Sequence, residues 1–282
     1  MGHMTGVTIG VLAQRVGVSA HALRAWERRY GLLTPDRSSG GYRLYDEADE
    51  ERIREFLRLR ESTGSAAAAA AVLNRQVILG TPTEAVDTLV AALRDGDQVR
   101  LTETLDVNLG RRPLAHALSE VVLPFLVQVG KLWEHGEIGI AEEHWASALV
   151  RGRLLNTARA LPTGNGPVAL LACPSQERHD LPLLALALLL QQMRWRIRFL
   201  GADTPLSEIR RAAGTGQCRS VVISTTIAGV TREPVKFPGG IDVWVGGRAA
   251  ADVIPLVGGR ELPHDLAAAA AAITAAVVGT AP

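Results

Sequence analysis

At 282 residues the chain is long for one domain and comfortable for two or three. Its hydrophobic fraction of 47% allows sizeable cores, and its two distant cysteines, Cys173 and Cys218, exclude a disulfide scaffold or a zinc finger and fit a reducing cytoplasm. The net charge of +1 is unevenly spread: within residues 1–45 Arg15, Arg24, Arg28, Arg29, Arg37 and Arg43 face only Glu27 and Asp36, so the head alone invites a polyanion.

The opening MGHM reads as a cloning remnant, no signal peptide is visible, and a cytoplasmic location is expected. No membrane partner is expected, because the apolar stretch Leu181–Leu190 has ten residues and contains Pro182, too short to span a bilayer.

Residues 5–77 form the first expected domain. Ile9, Leu12, Ala13 and Val16 make a helical stripe that stops at Gly17. Ser19 is the N-cap candidate for a second helix, AHALRAWERRYG, ending at Gly31. Two short helices joined by a tight glycine turn predict a helix-turn-helix. The second helix offers Leu23 and Trp26 to a small core and carries His21, Arg24, Arg28 and Arg29 on its polar side. Arginines so spaced can meet phosphates and base edges in a major groove. Gly40-Gly41, flanked by Arg37 and Arg43, make a flexible basic wing, followed by a short strand around Tyr42–Tyr45 and a helix opening on Asp46.

Residues 78–162 show no period-2 run and predict four helices with short connections, hence an antiparallel bundle. The two longest run from about Pro113 to Glu134 and from Gly139 to Leu161. Trp133 closes the first of these, and Glu143-His144 sit in the first turns of the next.

After the linker PTGNG, residues 166–282 alternate strands and helices. PVALLAC, WRIRFLG, SVVIST and IDVWVGG read as strands, and LPLLALALLLQQM, PLSEIRRAAGTG and LAAAAAAITAAVV as helices. This order predicts a Rossmann-like, doubly wound parallel sheet. The fold class expected is therefore multidomain α and α/β: winged helix-turn-helix, four-helix bundle and parallel sheet. Ligands of such sheets bind beyond the carboxyl ends of the strands, where His179 lies, with Glu177 before it and Asp180 after it. A carboxylate beside a ligating imidazole fixes its tautomer. Ser224, Thr225 and Thr226 end the third strand at the same edge, and Gly246-Gly247 end the fourth, where backbone could approach a bulky ligand.

The segment IGVLAQRVGVSAHALRAWERRYGLLTPDRSSGGYRLYDEADEERI resembles the winged-helix head of the MerR family of transcription regulators. That resemblance implies DNA binding, with Arg24, Arg28, Arg37, Tyr42 and Arg43 as contacts. The pattern ERHDLP … STT … VGG resembles the cobalamin-binding domain, whose motif is D/E-x-H-x-x-G … S-x-L … G-G. It implies His179 as the lower cobalt ligand and a displaced nucleotide tail beside the serine and the glycines. Pro182 stands where that motif has glycine, and Thr226 where it has leucine. Trp133 followed ten residues later by Glu143-His144 is similar to the light-sensing, adenosylcobalamin-dependent subgroup of MerR-type repressors. It implies that these three residues contact the 5′-deoxyadenosyl group or the corrin. Members that trap cobalt after photolysis carry a histidine directly after the tryptophan; here Glu134 follows and His135 comes one step later, a possible upper ligand.

The function expected is that of a repressor which binds operator DNA as a dimer or tetramer, holds adenosylcobalamin and releases DNA when light breaks the Co–C bond. It is not expected to be an enzyme. The alternatives are a light-independent regulator of the same architecture, without cobalamin or with another ligand, and a corrinoid-carrying methyltransferase module.

Overall fold

The stripe Ile9–Val16 folds into α1 (Ile9–Val16), closed by Gly17 in the left-handed region, and Ser19 caps α2 (Ala20–Tyr30) by accepting the Ala22 N–H at 3.1 Å. The structure, a computed structural model, describes residues 6–33, 35–37, 42–229 and 233–278. Gly40 and Gly41 of the expected wing, the Arg37 side chain and the last residues of the expected 166–282 segment lie outside the described residues. A two-stranded antiparallel ribbon, β1 (Asp36–Arg37) with β2 (Arg43–Leu44), follows α2. Next, α3 (Glu47–Thr63) opens on a reciprocal cap in which Asp46 and Asp49 each accept the other's N–H. The alanine run belongs to α4 (Ala66–Leu79). Leu12, Leu23, Leu32, Ile53 and Phe56 form a small core, and Trp26 packs at its rim with its ring 4.7 Å from that of Phe56.

That head ends a compact unit at Thr81; a second unit begins at Pro82. Its bundle comprises α5 (Pro82–Asp95), α6 (Gln98–Arg111), a third interrupted helix, and α9 (Ile140–Ala160). The interruption runs α7 (Leu114–His116), a π-helical turn over Ala117–Val122, then α8 (Leu123–Glu134). Pro124 accounts for it. Proline has no N–H to donate and its ring strikes the carbonyl four residues back, so the preceding turn widens instead of breaking.

The α/β part contains β3 (Val168–Ala172), α10 (Leu181–Gln192), β4 (Arg196–Gly201), α11 (Leu206–Ala213), β5 (Cys218–Ser224), β6 (Asp242–Gly246), α12 (Ala250–Val257), β7 (Arg260–Glu261) and α13 (Leu266–Val278). The strand order is β4-β3-β5-β6-β7, every pair parallel, as the alternation predicts. Two elements go beyond the sequence reading. β7 is a two-residue edge strand, too short to leave a pattern, and α12 contains Pro255, which masks its helical signal.

α10 is apolar on every side because it is covered on every side. Bundle residues such as Phe125, Val150 and Leu154 share one core with Leu184, Leu188 and Leu190 of α10 and with Ala169 and Leu171 of β3. The other sheet face packs Leu206 and Ile209 of α11 and Val253 of α12 over Val221, Ile223 and Val245. Bundle and sheet are thus one packed body.

Phe125 has no exposed surface in that core. Phe125→Ala should destabilise this unit by about 3–5 kcal/mol. Urea denaturation followed by far-ultraviolet circular dichroism reads the effect, and an unshifted midpoint would contradict the shared core.

Candidate functional site

In a sheet of this order the direction of winding reverses between β3 and β5, and a crevice opens there at the carboxyl ends. The loop after β3 carries Glu177 and His179; the loop after β5 carries Thr226. These three side chains meet. Glu177 is fully buried, and its Oε1 lies 2.7 Å from His179 Nδ1 and accepts the His179 backbone N–H at 2.8 Å. Its other oxygen accepts the Thr226 hydroxyl at 2.8 Å and the Thr226 backbone N–H. Burial works against the charge, but the donors from Thr226 and His179 outweigh it and hold the Glu177 carboxyl down at about 2. An ionised carboxylate only accepts, so Nδ1 carries a hydrogen toward it, and in the neutral imidazole the lone pair therefore lies on Nε2. The His179 side chain is 67% exposed. Among the described residues Nε2 has no hydrogen-bond partner, so the result is an anchored imidazole with one nitrogen open to a ligand.

The neighbouring strand ends are knitted together. Ser224 pairs in register with Gly246, and buried Thr225 donates its N–H to the Gly246 carbonyl at 2.9 Å. Gly247 has φ +94°, and a Cβ there would stand 2.1 Å from the Thr225 carbonyl oxygen. What requires glycine at 247 is therefore the chain's own crossing. Pro182 sits in the first turn of α10 without breaking it. Thr226, read from sequence as a substitute for leucine, instead supplies the second anchor of Glu177; nothing local to STT signals this, because it depends on β3 and β5 lying side by side.

The bundle residues sit on consecutive helices. Trp133, near the end of α8, is half exposed, and His135 is the exposed C-cap of that helix. Glu143 accepts the Ser147 hydroxyl at 2.8 Å, and His144 Nε2 lies 3.5 Å from Glu143. Among the described residues no hydrogen bond or ion pair joins Trp133, Glu143 or His144 to His179. The connection runs lower on α9, where Arg151 pairs through both terminal nitrogens with the buried carboxylate of Asp180. Those partners lie 29 residues apart, and the sequence carries no sign of the contact.

On the head, His21, Arg24 and Arg28 are exposed along α2. Arg43 is half exposed and pairs with Glu27 at 3.2 Å, so the ribbon is tied to α2. The Tyr45 hydroxyl donates to the same Glu27 at 2.9 Å, and burial, then that bond, pushes its pKa up to about 12. Tyr42 is 74% exposed, and the Arg37 backbone pairs with Arg43 across the ribbon.

Residues 8–45 match the model of the MerR family regulatory proteins, and residues 85–155 match that of a B12 binding domain. The chain is 34% identical over 266 residues to the HTH-type transcriptional repressor CarH of Myxococcus xanthus, covering 86% of this chain and 89% of that one. It belongs to this family of MerR-type transcriptional repressors. A second relative, the HTH-type transcriptional repressor CarA of the same organism, is 36% identical over 72% of this chain and 71% of its own. Among solved structures, the monomethylamine corrinoid protein of Methanosarcina barkeri aligns with a TM-score of 0.54 at 16% identity, over 68% of this chain and 99% of its own, which establishes a shared fold. This MerR-type protein is therefore a transcriptional regulator with a helix-turn-helix head and a B12-binding domain, not an enzyme. Among the described residues no helix is long and apolar enough to cross a membrane.

The anchored carboxylate has a pH signature. Because the folded value of Glu177 lies below its ordinary 4.5, the stability it contributes is complete above about pH 4.5 and is lost as the pH falls through about 2. The difference in urea midpoint between wild type and Glu177→Gln should shrink as the pH is lowered across that window. A difference that stays constant would show that Glu177 is not held in this way.

Proposed function

We propose that the protein is a repressor that senses light through adenosylcobalamin. The observation that carries this reading is the imidazole of His179 at the switch point of the sheet, held by buried Glu177 through Nδ1 and with no partner at Nε2 among the described residues. Among the described residues no three metal-binding side chains converge, and a single imidazole suits a metal whose equatorial ligands come from its own macrocycle. The residues therefore fit a corrinoid: His179 as lower ligand, Ser224, Thr225, Gly246 and Gly247 beside the nucleotide tail, Trp133, Glu143 and His144 toward the upper face. When bound, adenosylcobalamin supplies a cobalt–carbon bond that light breaks.

The half-exposed indole of Trp133 gives the bundle an apolar surface to lay against an adenosyl group, and Glu143 and His144 give it polar partners. In darkness these residues would hold the bundle, through the adenosyl group, in a packing that assembles as a dimer or tetramer. Several heads then bind one operator together, which matters because each small head makes few phosphate contacts. A bundle without those contacts would favour the separated chains, which would hold DNA less tightly. His135, the exposed C-cap of α8, would be a second imidazole on this segment that could hold the metal. Glu134, directly after Trp133, favours a second reading, a light-independent regulator of the same build.

A ligand shifts an assembly equilibrium only through different affinities for its two states. Trp133→Ala should bind cobalamin yet neither assemble in darkness nor respond to light. Size-exclusion chromatography with adenosylcobalamin, in darkness and after green illumination, measures this; a wild type of one size throughout would leave the light-independent reading standing. In the head, Arg28→Ala should weaken operator binding and flatten its salt dependence while leaving cobalamin uptake unchanged. Gel shifts across a salt series that match wild type would remove α2 from the DNA interface.

A further inference from the structure

Asp180 stands at the N-cap of α10, the position where aspartate ordinarily accepts an N–H of its own helix, yet its carboxylate makes no capping bond. The side chain is 5% exposed and turns to Arg151 instead, one carboxylate oxygen 3.1 Å from Nη1 and the other bonded to Nη2. Among the described residues Arg151 supplies the only side-chain donors to Asp180. A fork-on-carboxylate pair of this kind fixes orientation as well as distance.

The two ends of this pair matter more than its strength. Asp180 is the covalent neighbour of His179, so the His179 backbone is held from two directions. On one side Glu177 and Thr226 tie it to the sheet; on the other Asp180 ties it to the bundle. Arg151 lies on α9 at four-residue steps from Ser147 and Glu143, which puts all three on one helix face. A single helix thus carries two of the upper-face candidates, Glu143 and His144, in its first turns and the anchor of the His179 loop two turns later.

We propose that Arg151 is a positioning residue for the cobalt ligand, its pair with Asp180 coupling the placement of the bundle to that of His179. This rests on the reading of His179 as lower ligand. A shift of α9 that breaks the pair loosens the loop carrying the imidazole, and by linkage a loosened imidazole favours the shifted bundle.

The test titrates adenosylcobalamin into the full chain in darkness and reads affinity together with the absorption spectrum of the bound form. Arg151→Gln and Asp180→Asn should each weaken uptake by about 10–100-fold, the usual effect of removing an outer partner of a metal ligand. Each should also shift the bound cobalamin away from the histidine-ligated spectrum. The double variant should be no worse than the worse single, because both act through one contact. Arg151→Lys, which keeps the charge and loses the fork, should restore part of the effect. A purely structural pair would lower the melting temperature and leave the spectrum unchanged, which overturns the proposal, as does wild-type affinity in folded single variants. Should a single variant fail to fold because a buried charge is left unpaired, the neutral double variant decides: a histidine-off spectrum supports the proposal and a wild-type spectrum overturns it. His179→Ala runs in parallel. If it keeps the wild-type spectrum, the reading of His179 fails; if it alone loses the signature while the folded Arg151 variants keep it, only the role of Arg151 fails.

Discussion

A carboxylate without exposed surface must be held by hydrogen bonds or give up its charge, and Glu177 meets that constraint with donors from two loops. The rest of the site follows from it. Because Glu177 stays ionised, it accepts a hydrogen bond from His179 Nδ1–H and so orients the ring. Because its second oxygen belongs to Thr226, the loop after β3 and the loop after β5 are pinned at the crevice where the winding of the sheet reverses. This edge is therefore fixed by the chain's own hydrogen bonds, with the largely exposed His179 ring standing on it.

The same economy shapes the attachment of the bundle. α10 is wrapped by α9, α13 and the sheet, so it has no polar face, and bundle and sheet share a core instead of meeting at a wet interface. Gln191 of α10 donates to the Ala158 carbonyl near the end of α9 at 2.9 Å, and Arg151 reaches Asp180 at the other end of α10. Both ends of α10 are therefore tied to α9. Hydrophobic contact supplies most of the cohesion, while the polar ties fix the register of one helix on the other.

Much of this was legible in the sequence where the signals are local. Gly17, Ser19 and Gly31 bound the first two helices because a left-handed closure and an N-cap need particular side chains. The strands flanking α10 show as apolar runs, and their alternation with helices dictates a parallel sheet, which is why His179 could be placed at the strand ends. What stayed hidden depends on contacts distant in sequence. Thr226 looked like a departure from a motif because its role exists only once β5 lies beside β3. The Arg151–Asp180 pair joins two elements with no shared pattern, and the need for glycine at 247 arises from the nearby Thr225 backbone. β7 and α12 leave no signal for the plainer reason that two residues cannot show a period and an internal proline disguises a helix.

We propose that the imidazole anchored by Glu177 would hold the cobalt of a bound corrinoid. Electron paramagnetic resonance of the protein loaded with cob(II)alamin reads that atom directly, because the cobalt spin couples to the nucleus of its axial nitrogen. The account predicts that each cobalt line is split into a triplet in ordinary protein and into a doublet when the histidines carry nitrogen-15. A triplet that survives the label would show that the axial nitrogen belongs to the cofactor's own base, and the account of the site would be wrong.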